Sequence, residues 1–266
     1  MSRTWFPRLI WRWTVILAIA VLILVPWFVS LDANRIDLTD MLAGPSSQHL
    51  LGTDENGRDV LMRLLQGART TLGIGVAGAA IAVSVGALLG AVAGFRNGWI
   101  DAFLMRLVDF TMAVPTLFVV LMFTTLVPSG VISLILLIGF TGWMPVARLV
   151  RGRVMQIVRE PYVEAARAAG ASDVRLLGIH LLPNVRSIIG VAILIQLSRA
   201  ILTEATISFL GLGIQPPAPT WGNMLIGAQD FLLTASWLAL APGLAITCTL
   251  LIVASLQSEE ASPGGN

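Results

Sequence analysis

The sequence predicts an all-α protein that crosses a lipid bilayer six times. Three observations carry that prediction. Only 12% of the 266 residues are charged, against about 25% in a soluble domain. Hydrophobic residues make up 56% of the chain, and its mean hydropathy is +0.84. The apolar residues also fall into runs of the roughly 20 that a helix needs to cross about 30 Å of hydrocarbon. These runs cover residues 14–31, 71–95, 103–126, 131–150, 185–210 and 235–256.

The first run follows residues 1–13, which carry Arg3, Arg8 and Arg12. It is longer than a signal-peptide core and no A-x-A-like cleavage site follows, so it is expected to be a retained anchor. Residues 32–70 form an external loop. Within GTDENGRD, Asp54 and Asn56 favour turns and Gly57 permits positive φ. Asp59 then starts an amphipathic helix whose apolar face is Val60, Leu61, Leu64 and Leu65, expected to lie in the interface. A metal or substrate site built from Asp54, Glu55 and Asp59 is the alternative use of this acidic cluster.

The second run repeats small residues at Gly75, Ala79, Gly86, Gly90 and Gly94, which let helix backbones approach closely in lipid. Pro115 and Pro145 fall inside the third and fourth runs and are expected to kink them. The fifth run holds Arg199 and Glu204. Charges at such depth cost about 2.5–3.5 kcal/mol each on insertion scales and need a partner or a wet path. Two uses stand open for Glu204: with Ser208 it borders a translocation path, or it makes a structural hydrogen bond. Asp109 and Arg106 in the third run pose the same question. The loop GLGIQPPAPTWGN is stiffened by its prolines, and Trp221 suits a membrane interface. Residues 257–266 read as a disordered tail.

What the chain lacks is equally informative. All 17 basic residues are Arg, so there is no phosphate-loop lysine and no Schiff-base lysine. Cys248 is the single cysteine, and His49 and His180 are the only histidines, which excludes an internal disulfide and argues against a zinc site. A net charge of +2 gives no reason to invoke nucleic acid. No internal repeat marks a secondary transporter, and no Ser/Lys or paired Asp within the runs marks an intramembrane enzyme.

Orientation follows from arginine placement. With residues 1–13 in the cytoplasm, twelve arginines lie inside and four (Arg35, Arg58, Arg63, Arg69) outside, and both termini are cytoplasmic. Residues 151–184, between the fourth and fifth runs, are then cytoplasmic and unlike the rest. Pro161 suits the first turn of a helix, Glu164 and Arg167 can pair on its surface, and Gly170 fits a left-handed C′ position. Ser172 caps a second helix that starts at Asp173 and stops at Pro183. The first helix is too short to be stable alone. Its small residues Ala165, Ala166, Ala168 and Ala169 suit a groove on another protein, while an amphipathic helix lying on the membrane is an equal reading.

Glu164-Ala165-Ala166, then Gly170, then Leu182-Pro183 resembles the EAA loop of bacterial ATP-binding-cassette import permeases. HLLGTDENGRDVLMRLLQGARTTL, MRLVDFTMAVPTL and TEATISFLGLGIQPPAPTWGNML resemble stretches of the peptide-type permeases, on their "C" subunit. The resemblance spans roughly residues 10–250. It implies the type I importer permease fold, with helices 2–6 of the core within residues 71–256. It implies a bacterial cytoplasmic-membrane subunit that binds no cofactor, ATP and magnesium being used on one or two separate ATPase subunits. Tyr162, Glu164, Ala165, Ala166, Ala169, Gly170 and Ala171 would dock there as the coupling helix. A homologous second permease and an extracytoplasmic binding protein complete the implied machine. Peptides are the implied cargo, with nickel chelates or haem carried by relatives. The resemblance supports no metal at Asp54, Glu55 and Asp59. One departure is the ending LQSEEASPGGN, where such permeases usually carry a charged tail.

Overall fold

A computed structural model describes residues 32–260. The first predicted span lies outside the described residues, as do residues 261–266. Eight helices organise the rest: α1 (Val60–Arg96), α2 (Gly98–Ala113), α3 (Thr116–Leu126), α4 (Val131–Val158), α5 (Pro161–Ala168), α6 (Leu182–Phe209), α7 (Trp221–Ala228) and α8 (Trp237–Glu260). Among the described residues the extended pairing is a single bridge, Thr53 to Asp59. Four helices, α1, α4, α6 and α8, are long and apolar enough to cross a membrane, and the bent pair α2–α3 makes a fifth crossing if it counts as one.

α1 and α4 form the central seam. Gly78 meets Ile138, Gly86 meets Trp143 and Val146, Gly90 meets Ala147, and Gly94 meets Arg151 and Val154. Positions rise together on both helices, so the two run parallel, with α2 and α3 as the crossover between them. The contacts are backbone-close: a Cβ added at Gly90 would sit 2.3 Å from the Ala147 carbonyl oxygen. The small-residue stripe thus serves bundle packing. α6 returns antiparallel, with Ile201 against Gly75 and Gln196 against Gly142. One end of the bundle gathers Phe95, Ile157, Val163, Leu181 and Val185 into a buried cluster. This is called the elbow end. The other, the cap end, gathers the loop 32–59, α7 and the start of α8 around Val60, Ala228 and Leu238.

Four expectations need correction. The interfacial helix and the second span are one 37-residue helix, about 55 Å long. Asp59 caps it, accepting from the Met62 amide at 2.9 Å, and nothing after Leu65 interrupts the ladder. The third span is broken at Pro115, not kinked: α2 and α3 meet at 84°. Proline excludes the helical region for the residue before it, and Val114 is accordingly extended at φ −80°, ψ 122°. Pro145, by contrast, is carried inside an uninterrupted α4. The helix after Ser172 does not stop at Pro183. Its first turn, Asp173–Arg175, opens into a π-helical stretch, Leu176–Leu181, that runs straight into α6. Pro183 falls at the join, in the first turn of α6. Finally, α8 continues to Glu260, four residues into the stretch read as tail.

Candidate functional site

The elbow is built largely as its sequence dictates. Pro161 occupies the first turn of α5, and α4 reaches it through a two-residue reversal at Arg159 and Glu160. The helix ends in a Schellman turn: the Gly170 amide donates to Arg167 O at 3.0 Å and the Ala171 amide to Ala166 O at 3.0 Å. Gly170 has φ +84°, the left-handed value that a side chain would strain. Ser172 then caps the next turn, its hydroxyl accepting from the Arg175 amide at 3.4 Å.

Val163 is the one buried residue of α5 and pegs it into the elbow-end cluster. Glu164, Ala165, Ala169 and Gly170 are exposed, and Ala166 and Ala171 half-buried. Tyr162 is exposed, and its hydroxyl accepts from the Asn184 side-chain amide at 3.4 Å, tying α5 to α6. Arg167 lies over the Phe95 ring, 5.9 Å from its centroid, tying α5 to α1. The result is a short helix that presents small side chains outward from a narrow apolar footing.

Glu204 and Ser208 are at the opposite end and are not surface groups. Glu204 is fully buried and Ser208 is 1% exposed. The Ser208 hydroxyl donates to Glu204 Oε1 at 2.7 Å. The buried hydroxyls of Thr71 and Thr220 lie beside the same carboxyl, whose Oε2 has no hydrogen-bond partner of its own. Thr71 in turn accepts from the Trp221 amide at 3.1 Å. The carboxyl of α6 thereby faces hydroxyls from α1 and from the residue before α7. The four-residue spacing of Glu204 and Ser208 is legible in the sequence; the arrival of Thr71 and Thr220 is not.

Trp221 is buried too, not interfacial. It is 2% exposed, and its Nε1–H donates to Leu64 O at 3.0 Å. A capping box places it there: Thr220 accepts from the Asn223 amide at 3.1 Å while the Asn223 side chain accepts from the Thr220 amide at 2.9 Å. Behind it, Gly222 allows the backbone of α7 onto α6. An added Cβ there would come within 2.4 Å of Ala205 O.

Asp109 is exposed on α2 and accepts from Arg148 of α4 at 2.6 Å. A second pair, Asp101 with both Nε and Nη2 of Arg151, is half-buried and joins the same two helices. Arg106 is exposed. The acidic turn at the cap end is committed to its own arginines: Asp54 accepts from Arg58 Nε at 2.7 Å and lies 3.4 Å from Arg63 Nε. It also accepts from the Asn56 and Arg58 amides, each at 2.9 Å. Asp59 faces His49 Nδ1 at 2.8 Å. Among the described residues no three His, Cys, Asp or Glu side chains are grouped to hold a metal ion.

A bundle of four or five apolar helices long enough to cross a membrane, with a short helical elbow at one end, defines a multi-pass membrane protein. The chain belongs to the family of binding-protein-dependent transport system inner membrane components, which it matches over residues 86–258. It is 36% identical over 236 residues to the oligopeptide transport system permease protein OppC of Bacillus subtilis, covering 89% of this chain and 77% of that one. It is likewise 36% identical over 245 residues to the di/tripeptide transport system permease protein DppC of Pseudomonas aeruginosa, covering 90% and 81%. The glutathione transport system permease protein GsiD of Pectobacterium atrosepticum is 36% identical over 238 residues, covering 89% and 79%. In fold the chain is similar to the inward-facing MetNI methionine ABC transporter, at a TM-score of 0.60 and 15% identity, over 75% of this chain and 94% of that one. The chain is therefore a transport subunit of the ABC importer permease family.

Proposed function

We propose that the chain forms half of the pathway of a peptide importer driven by ATP hydrolysis on separate subunits. The observation that carries this reading is the elbow. An eight-residue helix with one buried side chain cannot hold its own shape, so its exposed Glu164, Ala165 and Ala169 await a partner surface. A cleft on an ATPase subunit is that partner. Movement of the cleft on nucleotide binding is passed through the π-helical stretch into α6, with which it is continuous.

In this reading the elbow end is cytoplasmic and residues 32–59 are external, where an extracytoplasmic binding protein delivers cargo. Charge supports it: Arg96, Arg153, Arg159, Arg167 and Arg175 crowd the elbow end. A homologous second permease completes the path. Peptides are the cargo that the names of the oligopeptide, di/tripeptide and glutathione relatives favour.

The coupling step is tested in the assembled transporter. Gly170→Pro removes the N–H that closes the Schellman turn and cannot adopt φ +84°. Glu164→Arg reverses an exposed charge. Both variants are expected to accumulate in the membrane at wild-type levels while peptide uptake is lost and ATP hydrolysis no longer responds to the loaded binding protein. Normal uptake by both would overturn the assignment.

A further inference from the structure

We propose that Arg199 anchors the carboxylate of the passing peptide, in a small chamber at the break between α2 and α3. This rests on the peptide reading above. Arg199 lies ten residues inside the cap-end terminus of α6, about 15 Å along the helix. An arginine at such depth is costly and marks a functional position whose partner should be sought. Glu204, the nearest acid on its own helix, is engaged with Ser208 and faces Thr71 and Thr220. Among the described residues Arg199 has neither a hydrogen bond nor an ion pair.

What Arg199 does have is a cavity of about 110 Å³. Arg199 lines it together with Thr116, Val114, Thr141 and Pro145, where α2, α3, α4 and α6 meet. It is an open cleft with room for a chemical group of the cargo at its floor. Against about 30 Å³ per water, it holds a carboxylate and a water or two. Its polarity selects an anion. Pro115 has no N–H, and the first helical bond of α3 is made by Phe118, so the Thr116 and Leu117 amides at the positive end of α3 are unclaimed by the helix. The Thr116 hydroxyl is likewise without a partner among the described residues. The Thr111 and Thr141 hydroxyls donate to their own helices, to Leu107 O at 2.7 Å and Leu137 O at 2.9 Å. Donors to an anion are then Arg199 and the start of α3. A helix broken within the membrane, with its N-terminus turned to the ligand, is a known way to hold an anionic substrate group.

The test uses the whole transporter, reconstituted with its binding protein, and two cargoes: a dipeptide with a free C-terminal carboxylate and the same dipeptide as its amide. Wild-type and Arg199→Gln transporters are compared at saturating binding protein, so selection by that protein is common to both. The proposal expects Arg199→Gln to slow uptake of the free acid by about tenfold or more, the scale of one lost charge-assisted bond, and to leave the amide unchanged. Arg199→Lys should recover part of the loss. Equal slowing of both cargoes would overturn the proposal and assign Arg199 to a carboxylate of the companion permease. So would uptake of the free acid at the wild-type rate. Wild-type transporter that imports neither cargo would overturn the peptide reading itself, and this inference with it.

Discussion

The two ends of this bundle are held by different physics. At the cap end, hydrogen bonds that involve buried groups hold the pieces together. Trp221 is locked to Leu64 and Thr71, Trp237 donates to Thr53 O at 3.2 Å, and buried Glu204 holds Ser208 and faces Thr71 and Thr220. At the elbow end, α5 rests on Val163 and a few long or angular contacts from Tyr162 and Arg167. A buried bond left unmade costs about 1–3 kcal/mol, so the cap has one arrangement. A helix with one apolar peg takes the arrangement of whatever surface it meets. The proposed coupling needs this contrast: a loosely held end to be pushed and a firmly held end that keeps its shape.

The seam between the ends gives the largest expected effect. Gly90→Val would drive a side chain into the Ala147 backbone, at 2.3 Å from its oxygen and 3.0 Å from its Cα. Backbone cannot yield as a side chain can, so the cost lies at or above the usual ~1–3 kcal/mol for overpacking. We expect most of the protein to be lost from the monodisperse peak after detergent extraction. Gly73→Val is the matched control, because nothing lies within 4 Å of an added Cβ there. Equal yields from the two variants would mean that the seam is not where rigidity resides.

The next effect concerns the cap. Glu204→Leu strips the acceptor from Ser208 and leaves a polar pocket facing an alkyl group, at about 1–3 kcal/mol. Glu204→Gln keeps an acceptor oxygen. Thermal unfolding in detergent should therefore rank wild type and Glu204→Gln above Glu204→Leu. Exchange of the Trp221 amide should quicken in the Leu variant, since its acceptor Thr71 borders the same carboxyl. If Leu melts no lower than Gln, the cluster is not what holds the cap.

How far each region was legible in the sequence follows from the range of its interactions. The elbow is local: Pro161, Gly170 and Ser172 act within one turn of themselves, and the structure has each where the sequence expects it. Pro115 and Pro145 are the same residue in similar runs, yet one ends a helix and the other is carried through. Local rules say only that a proline weakens a helix; neighbours decide whether it breaks. Trp221 reads as interfacial because aromatic rings favour that depth, but a capping box and the glycines at 67 and 222 draw it inside. The cap cluster joins positions 71, 204 and 220, and no pattern along the chain links residues so far apart.

The smallest effect separates the two ends most sharply. Val163 is 1% exposed, and truncating it to Ala removes two methyl groups from the peg, worth about 1–2 kcal/mol with the space left behind. Because α5 contributes so little else to the bundle, that loss should be felt locally. Unfolding of the isolated permease should shift by little, while hydrogen exchange across residues 161–171 should accelerate by about tenfold. If the elbow docks on a partner subunit as proposed, that surface supplies what the peg no longer does, and exchange in the assembled transporter should return close to the wild-type rate. A fall in global stability comparable to that of Glu204→Leu would show that the elbow is part of the bundle's core and not a lever resting on it.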